Sequence, residues 1–334
     1  MNRLCAWVVC GAMACAAAQA VSDWLCEGGD AQGSRWQRNE RELNPQSVKK
    51  LRLIWKRKLE SGALSSAPVI LGRLITYRGT VELVFVATAS GEVYAVDGDF
   101  GTVFWKRQLK TGAPASASCP PAAPVLTPLA AGFDEDDDGP QPARPLYILS
   151  AGRLYALNPQ DGRDLSAPRQ FLPPGARQAA LRLIGTTVYA AAGPCGGAPG
   201  QTFSIDVSRP ESKPVVRHGG VRPSGAAWQD ARGVKWTASA GPAPRGAITA
   251  FRAGRRAWAT PELIAPSPPV VAGGLLFALS QSTLYAFDAA GGRQLYSSGN
   301  EVAASNASAL AVANGHVCFT AADALYCFGF PVDI

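Results

Sequence analysis

Val84-Phe-Val-Ala-Thr-Ala-Ser-Gly-Glu-Val-Tyr-Ala-Val-Asp97, followed by Gly98-Asp-Phe-Gly101 and Thr102-Val-Phe-Trp105, is the stretch on which the fold turns. It reads as an apolar strand, a tight turn at Ser90-Gly91, and a second strand carrying Val-Tyr-Ala-Val. Asp97 and Gly101 then bound another turn, in which the acid can accept backbone N–H bonds and glycine supplies positive φ. Trp105 opens the next strand with a ring large enough to cover the gap between neighbouring sheets. The pattern recurs in Leu146–Asn158 with Gly162, in Leu275–Asp288 with Gly292, and in Val317–Phe328 near the end of the chain. Each copy carries Leu or Val, then Tyr, then Ala or Cys, then an apolar residue.

A four-stranded unit recurring every 30 to 50 residues or so is the period of a β-propeller, in which sheets stand radially around a central channel. A proline-valine step (Pro68-Val69, Pro124-Val125, Pro269-Val270) precedes several copies and marks the innermost strand of each unit. The expected blades are 66–109, 119–172, 179–218, 224–264 and 267–298, with a last one from about Ala307 that ends after three strands. Its fourth strand is expected at the other end of the chain. Leu51-Arg-Leu-Ile-Trp55-Lys-Arg-Lys-Leu59 repeats the pattern of Thr102-Val-Phe-Trp105-Lys-Arg-Gln-Leu109. The reading is an all-β propeller of six four-stranded blades, closed by the strand at about 51–59; blades three and four are weakly patterned, so seven or eight stay open. Closure removes the exposed edges that make open sheets prone to aggregation.

The rest of the chain sets the compartment. Arg3, the apolar run Leu4–Ala18 and the small residues of Ala18-Gln19-Ala20 form a signal peptide at 1–20, leaving 21–334 as one propeller domain. A lipid-anchor reading ending at Cys15 is the rival; it lacks the usual aliphatic residue three positions earlier. No other stretch approaches the ~18 apolar residues of a membrane-spanning helix. Charged residues are only 17% and hydrophobic ones 47%, which excludes a disordered chain. Losing Arg3 takes the formal charge from +7 to +6, a mild excess without the basic-aromatic signature of a nucleic-acid binder. The expected location is periplasmic or extracellular, and the expected state a monomer.

These residues resemble the PQQ-repeat, quinoprotein alcohol dehydrogenase-like propellers. The entry segment adds to the resemblance: Asp23-Trp24, Gly28-Gly29-Asp30, Gly33, Arg35-Trp36, Leu43-Asn44-Pro45, Val48-Lys49-Lys50-Leu51 and Trp55. The resemblance implies the fold over nearly all of the mature chain, and it implies two functions. One is a PQQ- and Ca²⁺-dependent dehydrogenase oxidising an alcohol or sugar. The other is a non-catalytic module like the lipoprotein that scaffolds outer-membrane β-barrel assembly. The dehydrogenases carry adjacent cysteines over the quinone, a Glu-Asn-Asp Ca²⁺ set and a catalytic Asp, none of which can be matched here. The favoured expectation is therefore a binding module in the cell envelope for a protein, peptide or polymer, with no cofactor. Hydrolase or lyase chemistry in a central pocket is a third class.

Candidate sites are few. Asp134, Asp136, Asp138 and Gly139 fit the start of a Ca²⁺ loop, but Pro145 stands where the closing Glu belongs, so a solvated acidic loop is the alternative. The mature cysteines are Cys26, Cys119, Cys195, Cys318 and Cys327, an odd number with no Cys-x-x-Cys, which argues against zinc. Cys318 and Cys327 flank the last hairpin, where register decides between a disulfide and two buried thiols. His218 and His316 have no Ser, Cys or carboxylate partner at an informative spacing and are expected in structural roles. The basic run Lys49, Lys50, Arg52, Lys56, Arg57 and Lys58 alternates with apolar residues and reads as strand rim. Gly193–Gly200 reads as a loop and not as a phosphate cradle.

Overall fold

A computed structural model describes residues 22–60, 64–76, 78–110, 125–128, 145–173, 176–193, 200–217, 225–302 and 307–331. The expected signal peptide at 1–20, Cys119, the acidic segment with Asp134, Asp136 and Asp138, Cys195 and His218 lie outside the described residues. Among those described there is no α-helix, only the 3-10 turn Ser47–Lys50, and the rest of the ordered backbone is strand.

The strands form consecutive antiparallel sheets that follow the repeat. The first sheet holds Val69–Thr76, Gly79–Ala87, Glu92–Asp97 and Val103–Gln108. The second runs from Val125–Pro128 to Asp164–Gln170, the third from Arg177–Ile184 to Val215–Arg217, and the fourth from Ala226–Gln229 to Arg255–Ala259. The fifth spans Val270–Ala272 to Gln294–Ser297 and gains a parallel strand, Trp36–Gln37, at its first edge. The sixth holds Ala311–Ala313, His316–Ala321 and Ala324–Gly329. Its fourth strand is Arg52–Lys58, paired antiparallel from Arg52 opposite Gly329 to Lys58 opposite Ala324. The strands at Val69, Val125 and Val270 all begin at the valine of a proline-valine step.

Burial follows position within each sheet. Middle strands such as Leu275–Ser280 and Ala324–Gly329 are buried on both faces, because each lies between neighbouring sheets. Fourth strands such as Val103–Gln108 alternate exposed and half-buried. Phe85, Phe277, Phe287, Phe319 and Phe328 are almost wholly buried, each contributing roughly 1.5–3 kcal/mol.

The turn after the third strand is where sheets are joined. Asp97 Oδ1 accepts from the N–H groups of Asp99 and Phe100 at 3.0 and 2.9 Å, and Gly101 closes the turn with φ +64°. Trp55, on the fourth strand of the sixth sheet, lays its ring on this glycine and donates Nε1–H to Gly98 O at 2.7 Å. Trp105 does the same at Gly162, donating to Pro159 O at 2.8 Å, and Trp258 at Gly292, donating to Ala289 O at 3.2 Å. Arg57 and Arg107 add guanidinium bonds to the carbonyls of Gly101 and Gly162. Arg52, Lys56, Arg57 and Lys58 of the basic run thus lie on the strand, with Lys56 over the Tyr326 ring at 4.9 Å, whereas Lys49 and Lys50 end the 3-10 turn before it.

Cys318 and Cys327 stand directly opposite each other in the last hairpin and are joined as a disulfide, with Cα atoms 4.2 Å apart. Register thus decides for the bond. Cys26 is a buried free thiol; burial, partly offset by Arg182, pushes its pKa up to about 12, so it is not a reactive nucleophile.

Candidate functional site

The entry segment 22–37 runs across the first strands of five sheets. Trp24 exchanges backbone bonds with Ile70 at 2.9 Å, Ala227 N–H donates to Ser34 O at 2.8 Å, and Val271 N–H donates to Arg35 O at 2.8 Å. Arg182 Nη1 reaches Ala31 O at 3.4 Å, and Gln37 Nε2 reaches Val312 O at 3.2 Å. Trp24, Cys26 and Arg35 are buried by these contacts. The entry segment is thus bonded to the first strands of these five sheets.

Among the described residues no group of three or more His, Cys, Asp or Glu is placed to hold a metal ion. The positions along the first strands are taken by Trp24, Arg35 and their neighbours.

Polar side chains do converge elsewhere, between the sixth and first sheets. The two-residue Asn314-Gly315 turn, both at positive φ, joins Ala311–Ala313 to His316–Ala321 and delivers His316 at the start of its strand. Glu82 comes from Gly79–Ala87; a Cβ at Gly98 would lie 2.4 Å from its carboxylate, so only glycine fits beside it. His316 Nδ1 and Glu82 Oε1 are 2.7 Å apart, and Asn314 Nδ2 donates to Glu82 Oε2 at 2.6 Å. Asn314 is in turn held by Ser22, whose N–H donates to Asn314 Oδ1 at 2.8 Å. Both oxygens of Glu82 are therefore engaged, and Glu82 and His316 expose only 7% and 8% of their side chains.

The other imidazole nitrogen, Nε2, lies 3.7 Å from Asp99 Oδ1, beyond hydrogen-bond reach. Asp99 is half exposed in the Asp97–Gly101 turn, and Glu42 approaches from the entry segment. Together these groups line a cleft of about 390 Å³ with Val81, Phe330 and Pro331 as its apolar walls. Burial disfavours a charged ring, but Glu82, Asp99 and Glu42 outweigh it and hold the His316 pKa above its usual value. Burial raises Glu82, with His316 opposing, and burial together with Glu40 raises Glu42. Glu82 and His316 therefore titrate as a coupled pair, with burial opposing charge on both.

Sequence reasoning gave His316 no carboxylate partner. The signal available was the Asn-Gly turn before it, which locates the histidine without naming what it meets. His218 and the acidic loop fall outside the described residues.

A family model described as outer membrane protein assembly factor BamB, of the PQQ-repeat type, matches residues 49–213 and 244–328, about three quarters of the chain. The chain belongs to this family. Among solved structures, the PQQ-repeat chain is similar to quinohemoprotein alcohol dehydrogenase ADHIIG from Pseudomonas putida HK5, with TM-score 0.50 and 10% identity over 94% of this chain and 81% of that one. The corresponding enzyme from Comamonas testosteroni gives 0.49 at 12% identity, covering 95% and 82%. BamB from Moraxella catarrhalis gives 0.32 at 15% identity, covering 84% and 100%. At 10% identity the likeness to ADHIIG speaks for the fold alone. No curated protein matches the chain.

Proposed function

We propose that the protein is an exported, non-catalytic propeller of six blades that acts as a binding or scaffold module in the cell envelope. The ring closes through Arg52–Lys58, which completes the last sheet while Trp55 docks on the first. The observation that carries the non-catalytic reading is the entry segment lying across five first strands, which leaves the axis to the chain's own residues. Membership in a family described as an outer membrane assembly factor supports the envelope, as does the signal peptide read at residues 1–20. A rigid ring also suits binding, because loops from every blade converge on its two faces. The partner is a protein, peptide or envelope polymer.

The test is a titration of the purified mature protein with PQQ, with and without Ca²⁺, followed by absorbance and calorimetry. No saturable binding at high micromolar quinone is expected. Saturable binding with dye reduction on addition of alcohols or sugars would make the protein a small quinoprotein dehydrogenase and overturn the proposal.

A further inference from the structure

We propose that the cleft between the sixth and first sheets binds the guanidinium of an arginine side chain presented by a protein partner. The inference rests on the binding-module reading and names the chemistry that its partner would show.

The first argument is the balance of donors and acceptors. Glu82 is saturated by His316 and Asn314, and it fixes the imidazole with its proton on Nδ1. Glu82, Asp99 and Glu42 favour the charged ring, so Nε2 becomes an acceptor once pH rises above the raised His316 pKa. The 3.7 Å gap from Nε2 to Asp99 Oδ1 is too long for a direct bond and wide enough for a bridging group. Asp99 and Glu42 are acceptors when ionised. Of the lining side chains not already paired, Asp99, Glu42 and neutral His316 accept and only the Thr80 hydroxyl can also donate, so the matching ligand is one rich in donors. Guanidinium has five N–H donors and no acceptor, whereas a hydroxyl has one donor and brings acceptors of its own.

Charge and shape agree. The cleft lining includes three carboxylates and one imidazole and no lysine or arginine, on a chain whose formal charge is +7. A cleft of about 390 Å³ suits one side chain rather than a polymer. Phe330 offers a ring on which a planar guanidinium can lie, and Val81 and Pro331 can cover an aliphatic stem. Arginine is favoured over lysine because a planar fork spans two separate carboxylates.

Protonation of Nε2 would compete with the bound cation. The groups facing His316 are Glu82 from the first sheet, Asp99 from its turn and Glu42 from the entry segment, with Glu40 behind them. Binding should therefore strengthen as pH rises and His316 loses its proton.

The experiment is calorimetry of the full mature protein at pH 8 with the amidated tripeptide Gly-Arg-Gly, against the same peptide carrying neutral citrulline. Variants Asp99→Asn and Glu42→Gln are titrated in parallel, with thermal melts to verify that each is folded. Saturable binding of the arginine peptide is expected, weakened by about tenfold or more on neutralising the ligand or either carboxylate. Absence of binding, equal binding of the citrulline peptide, or two folded variants that bind like the parent would overturn the inference. Arginine binding in a protein that also turns over quinone would leave the cleft standing and remove the scaffold reading. No peptide binding and no quinone turnover would remove the cleft alone.

Discussion

Gly101→Ala isolates what the tryptophan contact between sheets is worth. Gly101 has φ +64°, so any side chain there carries a backbone cost of about 1–2 kcal/mol. A Cβ would also lie 2.5 Å from Trp55 Cγ, well inside contact distance. The indole is tethered by its 2.7 Å bond to Gly98 O and cannot retreat without giving that bond up. Overpacking adds about 1–3 kcal/mol, and the lost hydrogen bond about 1 kcal/mol. The total is about 3–6 kcal/mol. Gly254 supplies the control: its φ is +80°, but nothing lies within 4 Å of its would-be Cβ, so Gly254→Ala carries only the backbone cost. Urea unfolding followed by tryptophan fluorescence gives both midpoints and slopes. Gly162→Ala and Gly292→Ala, whose Cβ atoms would meet Trp105 and Trp258 at 2.7 and 2.6 Å, should group with Gly101→Ala. If all four variants lose the same stability, the docking account is wrong and positive φ alone explains these glycines.

Two further outcomes follow from the sixth sheet and its neighbour. The Cys318–Cys327 disulfide closes a short loop, with a sequence separation of 9, and chain-entropy bookkeeping assigns it about 2.6 kcal/mol. The Cys318→Ala, Cys327→Ala double variant should lose about that much in urea, and an unchanged midpoint would show that hairpin packing alone holds the register. For His316, the folded pKa lies above the unfolded value of about 6.5 because Glu82, Asp99 and Glu42 face the ring. Its stabilisation is therefore complete below that value and is lost as pH rises through the raised one; Glu82, also raised, acts with the same sign. The urea midpoint should fall from pH 6 to pH 9 and flatten in His316→Gln; a midpoint with the same pH slope in both proteins would refute the assignment.

The sheets were legible because local devices recur at fixed offsets: the strand carrying Tyr, the Asp or Asn turn closed by Gly, and in the first and sixth sheets a tryptophan on the fourth strand. All of these act within about 25 residues, so a single sequence displays them. The third sheet was faint for a physical reason. Its third strand, Gln201–Asp206, carries Phe203 where the first, second, fifth and sixth sheets have tyrosine, and Asp206 is followed by Val-Ser-Arg-Pro with no glycine to close the turn. The fourth carries Trp258, but its inner hairpin stacks Trp228 on Trp236 in place of the usual tyrosine strand. The cleft was not legible at all. Glu82 and His316 are 234 residues apart, and Ser22 and Asn314 are 292 apart, so these partners meet only when the two ends of the repeat array come together.

That meeting has a cost that the sequence also helps to offset. Arg52–Lys58 pairs with Ala324–Gly329 across about 270 residues of chain. Closing so long a loop costs about 3 kcal/mol more than closing a ten-residue hairpin, since the entropy grows only with the logarithm of length. The acceptor strand is held by local contacts: the disulfide fixes Ala324–Gly329 against His316–Ala321, and Phe319 stacks on Tyr326 and Phe328 at 5.7 and 6.0 Å. The incoming strand brings Trp55 and Arg57 to the first sheet in the same event, so one pairing joins two sheets. The entry segment immediately before it then spans the first strands and places Ser22 on Asn314. The cleft, the docked tryptophan and the run of the entry segment across the first strands all depend on the pairing of the N-terminal residues with the last sheet.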